Sequence, residues 1–144
     1  MTVSLPIIEY AKELNVNDEK LYRALVLGNL IAIHQKNGIG RLSAYCGAVS
    51  AGCAAGCGIA YLYGADYECI AHTIVNSLAI TSGIICDGAK SSCAAKIAAS
   101  VDAGILGYKM YLDGQEFKDG DGIVVKGVEL SLIHISEPTR RVVI

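Results

Sequence analysis

Along the first hundred residues, apolar positions recur at three- and four-residue intervals, the period of helices packed on one side. Ser4 followed by Pro6 reads as the opening of a short helix ending near Leu14. Asn17 is a candidate N-cap, with Asp18 and Glu19 complementing the helix dipole. The helix it opens runs to Lys36 and stops at Gly38, with Leu21, Leu25, Val26, Leu30 and Ile33 as its apolar face. A break at Gly38, Gly40 and Arg41 precedes GAVSAGCAAGCGIAYLYG. This third helix has an almost bare surface, on which Gly47, Ala51, Ala54, Ala55 and Gly58 let another backbone approach. Gly64 and Asp66 turn the chain into a fourth helix, roughly Tyr67 to Ile85, and a fifth is predicted from about Ala89 to Ala103, ending at Gly104. Beyond it the texture changes. YKMYLDGQEFKDGDGIVVKGVE carries Asp-Gly steps at 113, 119 and 121 and the patch Ile123-Val124-Val125, which reads as a small hairpin or a loop laid on the helices. The predicted fold class is therefore all-α: a bundle of four to five helices with small buried residues, plus a short irregular or β-hairpin C-terminal element.

The last residues, SLIHISEPTRRVVI, continue none of these patterns and resemble a translated sequencing adaptor. The expected organisation is one domain over 1–129 and a non-native tail over 130–144, with nothing functional read into His134 or Arg140.

Composition narrows the function classes. With 144 residues, 53% of them hydrophobic but only one Phe and no Trp, the apolar mass lies in Ala, Ile, Leu, Val and Tyr. A net charge of −2 and the lack of a basic stripe leave nucleic-acid binding without electrostatic support. Two charge-free runs, Leu42 to Ala65 and Cys69 to Cys86, approach the length of a membrane span. Their Gly, Ser, Thr, Asn and His content and the lack of basic or aromatic flanks favour buried helices over a membrane location. The start, MTVSLPIIEY, has no basic region ahead of an apolar run, so a cytoplasmic chain is expected.

Candidate chemistry lies in six cysteines at 46, 53, 57, 69, 86 and 93. Clustered cysteines in a chain of this kind point to metal binding or catalysis rather than disulfides, and the absence of a CxxC pair disfavours a zinc ribbon or a thioredoxin-type motif. Cys53, Cys57 and Cys69 read as small hydrophobes of the core. Cys46 and Cys86 differ, because each sits at a helix start or a turn, where outward N–H groups stabilise a thiolate. Cys93 lies seven residues beyond Cys86, and a bend at Asp87-Gly88 would turn both sulfurs toward one point. Of the remaining polar groups, His72 and Asn76 read first as a buried hydrogen-bonded pair, His34 as surface, and Asp87 as a helix cap. Arg41 is either a carboxylate clamp or an ordinary charge at a helix end.

GRLSAYCGAVSAG at 40–52 and SGIICDGAKSSCAAK at 82–96 resemble the L-cysteine desulfidases, relatives of the iron–sulfur L-serine dehydratase alpha region, and the likeness spans Leu5 to Glu129. The resemblance implies that Cys46, Cys86 and Cys93 ligate a [4Fe–4S] cluster with one iron left open to substrate. It implies α,β-elimination from L-cysteine, without pyridoxal phosphate, to sulfide, ammonia and pyruvate. Lys90 in the C-D-G-A-K motif is a weak candidate for the base, but reads equally as a carboxylate anchor, a donor to the cluster, or an exposed lysine. The implied partner is a small amino acid, L-cysteine or L-serine, with a homo-oligomer possible. L-serine dehydratase is the nearest alternative. A non-catalytic iron–sulfur module completed by a fourth thiolate from Cys53, Cys57 or Cys69 is another, as is a helical interaction protein with incidental cysteines.

Overall fold

In the computed structural model, which describes residues 1–39, 45–86 and 88–126, five helices form an all-α bundle. They are α1 (Ser4–Glu13), α2 (Asp18–Ile39), α3 (Gly47–Leu62), α4 (Tyr67–Ile80) and α5 (Ser92–Leu112). The predicted tail over 130–144, together with Arg41 and Asp87, lies outside the described residues.

α3 is the centre. From Val49 to Leu62 every residue except Ala51 and Tyr61 is buried, and α3 packs against all four other helices. A helix that is apolar all round has no solvent face, and the bare Gly/Ala surface lets neighbours come close. A Cβ placed on Gly56 would lie 2.5 Å from the Cα of Gly104, and one on Gly52 would collide with the backbone of Ser100. The α3–α5 crossing is thus backbone against backbone. This corrects the expected end of the fifth helix at Gly104. That glycine is an interior contact point, and the helix continues to Leu112.

Local signals set the other boundaries. Asn17 Oδ1 accepts from the N–H of Lys20 at 2.9 Å, and Asp66 Oδ1 from that of Cys69 at 2.9 Å, capping α2 and α4. Ser4 is already within α1, and Val3 ahead of it makes no side-chain cap. α4 stops at Ile80, short of the expected Ile85, because Gly83 takes φ +89° and Ile84–Ile85 run extended to meet Tyr45 in an antiparallel bridge.

One expectation is corrected in finer detail, and one open alternative is decided. α2 buries Ala24, Gly28, Ile31 and Gln35, whereas Val26, Leu30 and Ile33 of the predicted apolar face are each more than half exposed, as is Tyr22. The buried stripe of α2 thus runs through Ala24, Gly28, Ile31 and Gln35, with Leu21, Leu25 and Leu27 packed at its margins. Residues 113–126 form an irregular element and no hairpin. Gly114, Gly120 and Gly122 all adopt positive φ in successive turns, and buried Val124 anchors the loop to the helices.

Candidate functional site at the cysteine-bearing end of the bundle

The six cysteines separate into two groups. Cys53, Cys57 and Cys69 are buried in the interior, as expected, the first two among Ala and Gly and Cys69 in the first turn of α4. Cys53 Sγ accepts from Gln35 Nε2 at 3.0 Å and lies 3.9 Å from the carbonyl of Ile74, while Cys57 Sγ lies 4.0 Å from the carbonyl of Ile70. The hydrogen bond with Cys53, together with burial, pushes the Cys57 thiol well above its ordinary range, and burial pushes the Cys69 thiol up. All are free thiols.

Cys46, Cys86 and Cys93 lie where α3 begins, α4 has ended and α5 begins. Cys46 is the N-cap of α3, with extended backbone (φ −70°, ψ 119°), and its carbonyl accepts from the N–H of Val49 at 3.0 Å. Its own N–H donates to the carbonyl of Ile84 at 3.4 Å, beside the Tyr45–Ile85 bridge. In antiparallel pairing Cys46 therefore faces Ile84, two residues before Cys86. Cys46 is buried and Cys86 exposed. Cys93 occupies the first turn of α5, where its N–H donates to the carbonyl of Lys90 at 3.0 Å and its Sγ to the carbonyl of Gly88 at 3.5 Å. Gly88 takes φ +93°, so the chain turns here rather than continuing as helix, and Cys93 folds back toward the Cys86 segment.

Lys96 was not singled out in the sequence. One turn beyond Cys93, it donates from Nζ to the carbonyl of Ile85 at 3.4 Å, which holds an ammonium beside Cys86. The i, i+3 spacing from Cys93 was the available signal, but only once α5 was known to begin at Ser92. Lys90 is exposed. Among the described residues no three His, Cys, Asp or Glu side chains gather closely enough to hold a single metal ion.

His72 and Asn76 do not form the buried pair expected of them. Asn76 is fully buried, donating from Nδ2 to the carbonyls of Gly107 (3.1 Å) and Gln115 (3.4 Å) and accepting from the N–H of Phe117 (3.0 Å). His72 is part-exposed. Its Nδ1 lies 3.0 Å from Glu116 Oε2, and its ring stacks on Tyr111 with centroids 5.1 Å apart. His34 is exposed, as expected. No described helix is long and apolar enough to cross a membrane.

The fold is a small-residue helical domain in which Cys46, Cys86 and Cys93 stand at or near the starts of α3 and α5 and beyond the end of α4. Residues 2–140 match the family model of the serine dehydratase alpha chain, and the chain belongs to that family. It is 67% identical over 135 residues to a UPF0597 protein of Desulfitobacterium hafniense, covering 94% of this chain and 31% of the relative. It is 61% identical over 132 residues to a UPF0597 protein of Lachnoclostridium phytofermentans (92% and 32%), and 51% identical over 135 residues to one of Treponema denticola (94% and 31%). The chain thus spans about a third of the length of these relatives. No solved structure matches it.

Proposed function

We propose that this chain is the cluster-binding portion of a lyase that eliminates sulfide from L-cysteine, with Cys46, Cys86 and Cys93 as ligands of a [4Fe–4S] cluster. The observation that carries the reading is the meeting of the cysteine segments at one pole. The Tyr45–Ile85 bridge joins the residue before Cys46 to the residue before Cys86, and Cys93 bonds back to the carbonyl of Gly88, two residues past Cys86. The donor chemistry fits the group, since thiols are the usual cluster ligands and three of them leave one iron open. A single ion with metal–sulfur bonds near 2.3 Å draws its donors to within about 4 Å of one another, whereas a cluster takes more widely spaced thiols. The bound cluster would supply a Lewis acid for the departing β-substituent.

The chain's own residues have separate parts in this reading. Cys46 stands at the N-cap position of α3, next to the first N–H groups of that helix. Lys96, tethered at Ile85, adds a positive charge on the Cys86 side. Cys46, buried, limits water on the bundle side, while exposed Cys86 leaves the outer side open to the amino acid. The family's name favours a serine-type elimination equally well, so L-serine is the second substrate to be tested.

The test is anaerobic reconstitution with iron and sulfide of this chain and of the full-length Desulfitobacterium hafniense relative. Single alanine substitutions at Cys46, Cys86 and Cys93 and at their counterparts would be read by iron and sulfide content, absorbance and EPR. Each of the three is expected to abolish the cluster, while Cys53→Ala, Cys57→Ala and Cys69→Ala leave it. Retention of a full cluster after loss of any of the three in the full-length relative overturns the ligand assignment. Turnover of L-serine but not L-cysteine by that relative overturns the substrate.

A further inference from the structure

Away from the cysteine pole, α4 and the segment after α5 enclose a cavity of about 270 Å³ whose wall includes His72, Glu116, Lys118, Asp119 and Lys126. His72 lies in the second turn of α4, eight residues before Ile80, so this cavity is about 12 Å along the helix axis from the end that leads to Cys86.

Its wall is held in place from both sides. The His72 ring is clamped by its Nδ1 contact to Glu116 at 3.0 Å and by stacking on Tyr111 at an interplanar angle of 15°. The facing segment is tied down by fully buried Asn76, which grips Gln115 and Phe117. The N–H of Lys118 donates to Asp121 Oδ2 at 2.6 Å. Such a frame presents side chains from a preset backbone, as a binding site requires.

The charges are the decisive feature. Glu116 is engaged by His72, whereas among the described residues neither Lys118 nor Lys126 pairs with a carboxylate. Lys118 and Lys126, unpaired among the described residues, therefore stand with Asp119 in the wall of a mostly apolar pocket whose remaining surface includes Val75 and buried Val124. We propose that this cavity binds a small carboxylate with a short apolar body, its charge met by Lys118 and Lys126 and its body lying against Val75 and Val124. The site is separate from the cysteine pole, and the proposal stands whether or not the cysteines hold a cluster.

Sodium propionate and propylamine, matched in length and opposite in charge, are the probes, with binding by this chain followed through the His72 imidazole resonances and by calorimetry. Propionate is expected to shift those resonances, and propylamine is not. Lys118→Met combined with Lys126→Met is expected to weaken propionate about tenfold or more, the loss of at least one charge-assisted hydrogen bond. Both lysines are exposed, so the fold should survive, and circular dichroism would verify it. Failure of propionate to bind, equal binding of propylamine, or unchanged propionate affinity in the folded double variant would each overturn the proposal.

Discussion

The α3–α5 crossing offers a sharp test of the fold, through Gly56→Ala. The added Cβ would stand 2.5 Å from Gly104 Cα and 2.6 Å from the Gly104 carbonyl carbon, while relaxed carbon contacts lie at about 3.5–4.0 Å. Both partners are backbone, so no side chain can swing aside and the helices must part by about 1 Å. Overpacking of a tight interior costs about 1–3 kcal/mol, and an unyielding backbone contact belongs at the upper end. Replacing a mid-helix glycine by alanine gains about 1 kcal/mol in helix propensity. The net loss is then about 2 kcal/mol, or a fall in Tm of about 8 °C for a chain of this size. Thermal and urea melts followed by far-UV circular dichroism measure it. Gly47→Ala is the control, since a Cβ there meets nothing within 4 Å, and its stability should stay within about 0.5 kcal/mol of wild type. A Gly56→Ala protein as stable as wild type, or an equal loss at Gly47, would refute backbone contact at the crossing.

Two further outcomes follow from burial. Native-state alkylation should label Cys86 first and Cys93 next. Cys57, buried and with its thiol held protonated by its hydrogen bond to Cys53 and by burial, should stay unlabelled as pH rises from about 7 to 9, through the range where ordinary thiols ionise. Mass mapping of the labelled peptides decides this, and early Cys57 modification would contradict the interior described here. On α2, Ile31→Ala should cost about 2–4 kcal/mol, whereas Leu30→Ala, one residue away on the outer face, should change stability by less than about 0.5 kcal/mol. Equal losses in denaturant melts would show that the helix is rotated from the orientation found.

Two helix starts were legible because their caps are local. Asn17 and Asp66 announce α2 and α4 through side chains that bond three residues on. The separation of the cysteines was legible too, since Ala/Gly flanks mark Cys53 and Cys57 as interior, while a helix start marks Cys46. Less visible was anything decided by a distant partner. Gly104 looks like a stop until α3 supplies glycines opposite it. Val26, Leu30 and Ile33 look like a core face until the buried stripe of α2 is seen to run through Ala24, Gly28, Ile31 and Gln35. His72 and Asn76 share a helix spacing, yet the one pairs with Glu116 and the other with the backbone of Gly107 and Phe117, forty or so residues away in some cases, which local pattern does not encode. Lys96 was invisible for a related reason, because its partner carbonyl belongs to Ile85, in the non-helical segment that the early end of α4 creates.

The glycine crossing also acts as a pivot with short arms. Gly52 is six residues from Cys46 and Ser100 seven from Cys93, so the two sulfur-bearing helix starts lie only about 9 and 10 Å from the fulcrum. A scissoring of about 10° there would displace either start by less than about 2 Å. Because the blades touch through main chain, with no compressible side chain between them, even that swing has little slack to exploit. The gap between the first and last cysteines of the pole is thereby gauged by glycines and a serine that lie outside the pole itself.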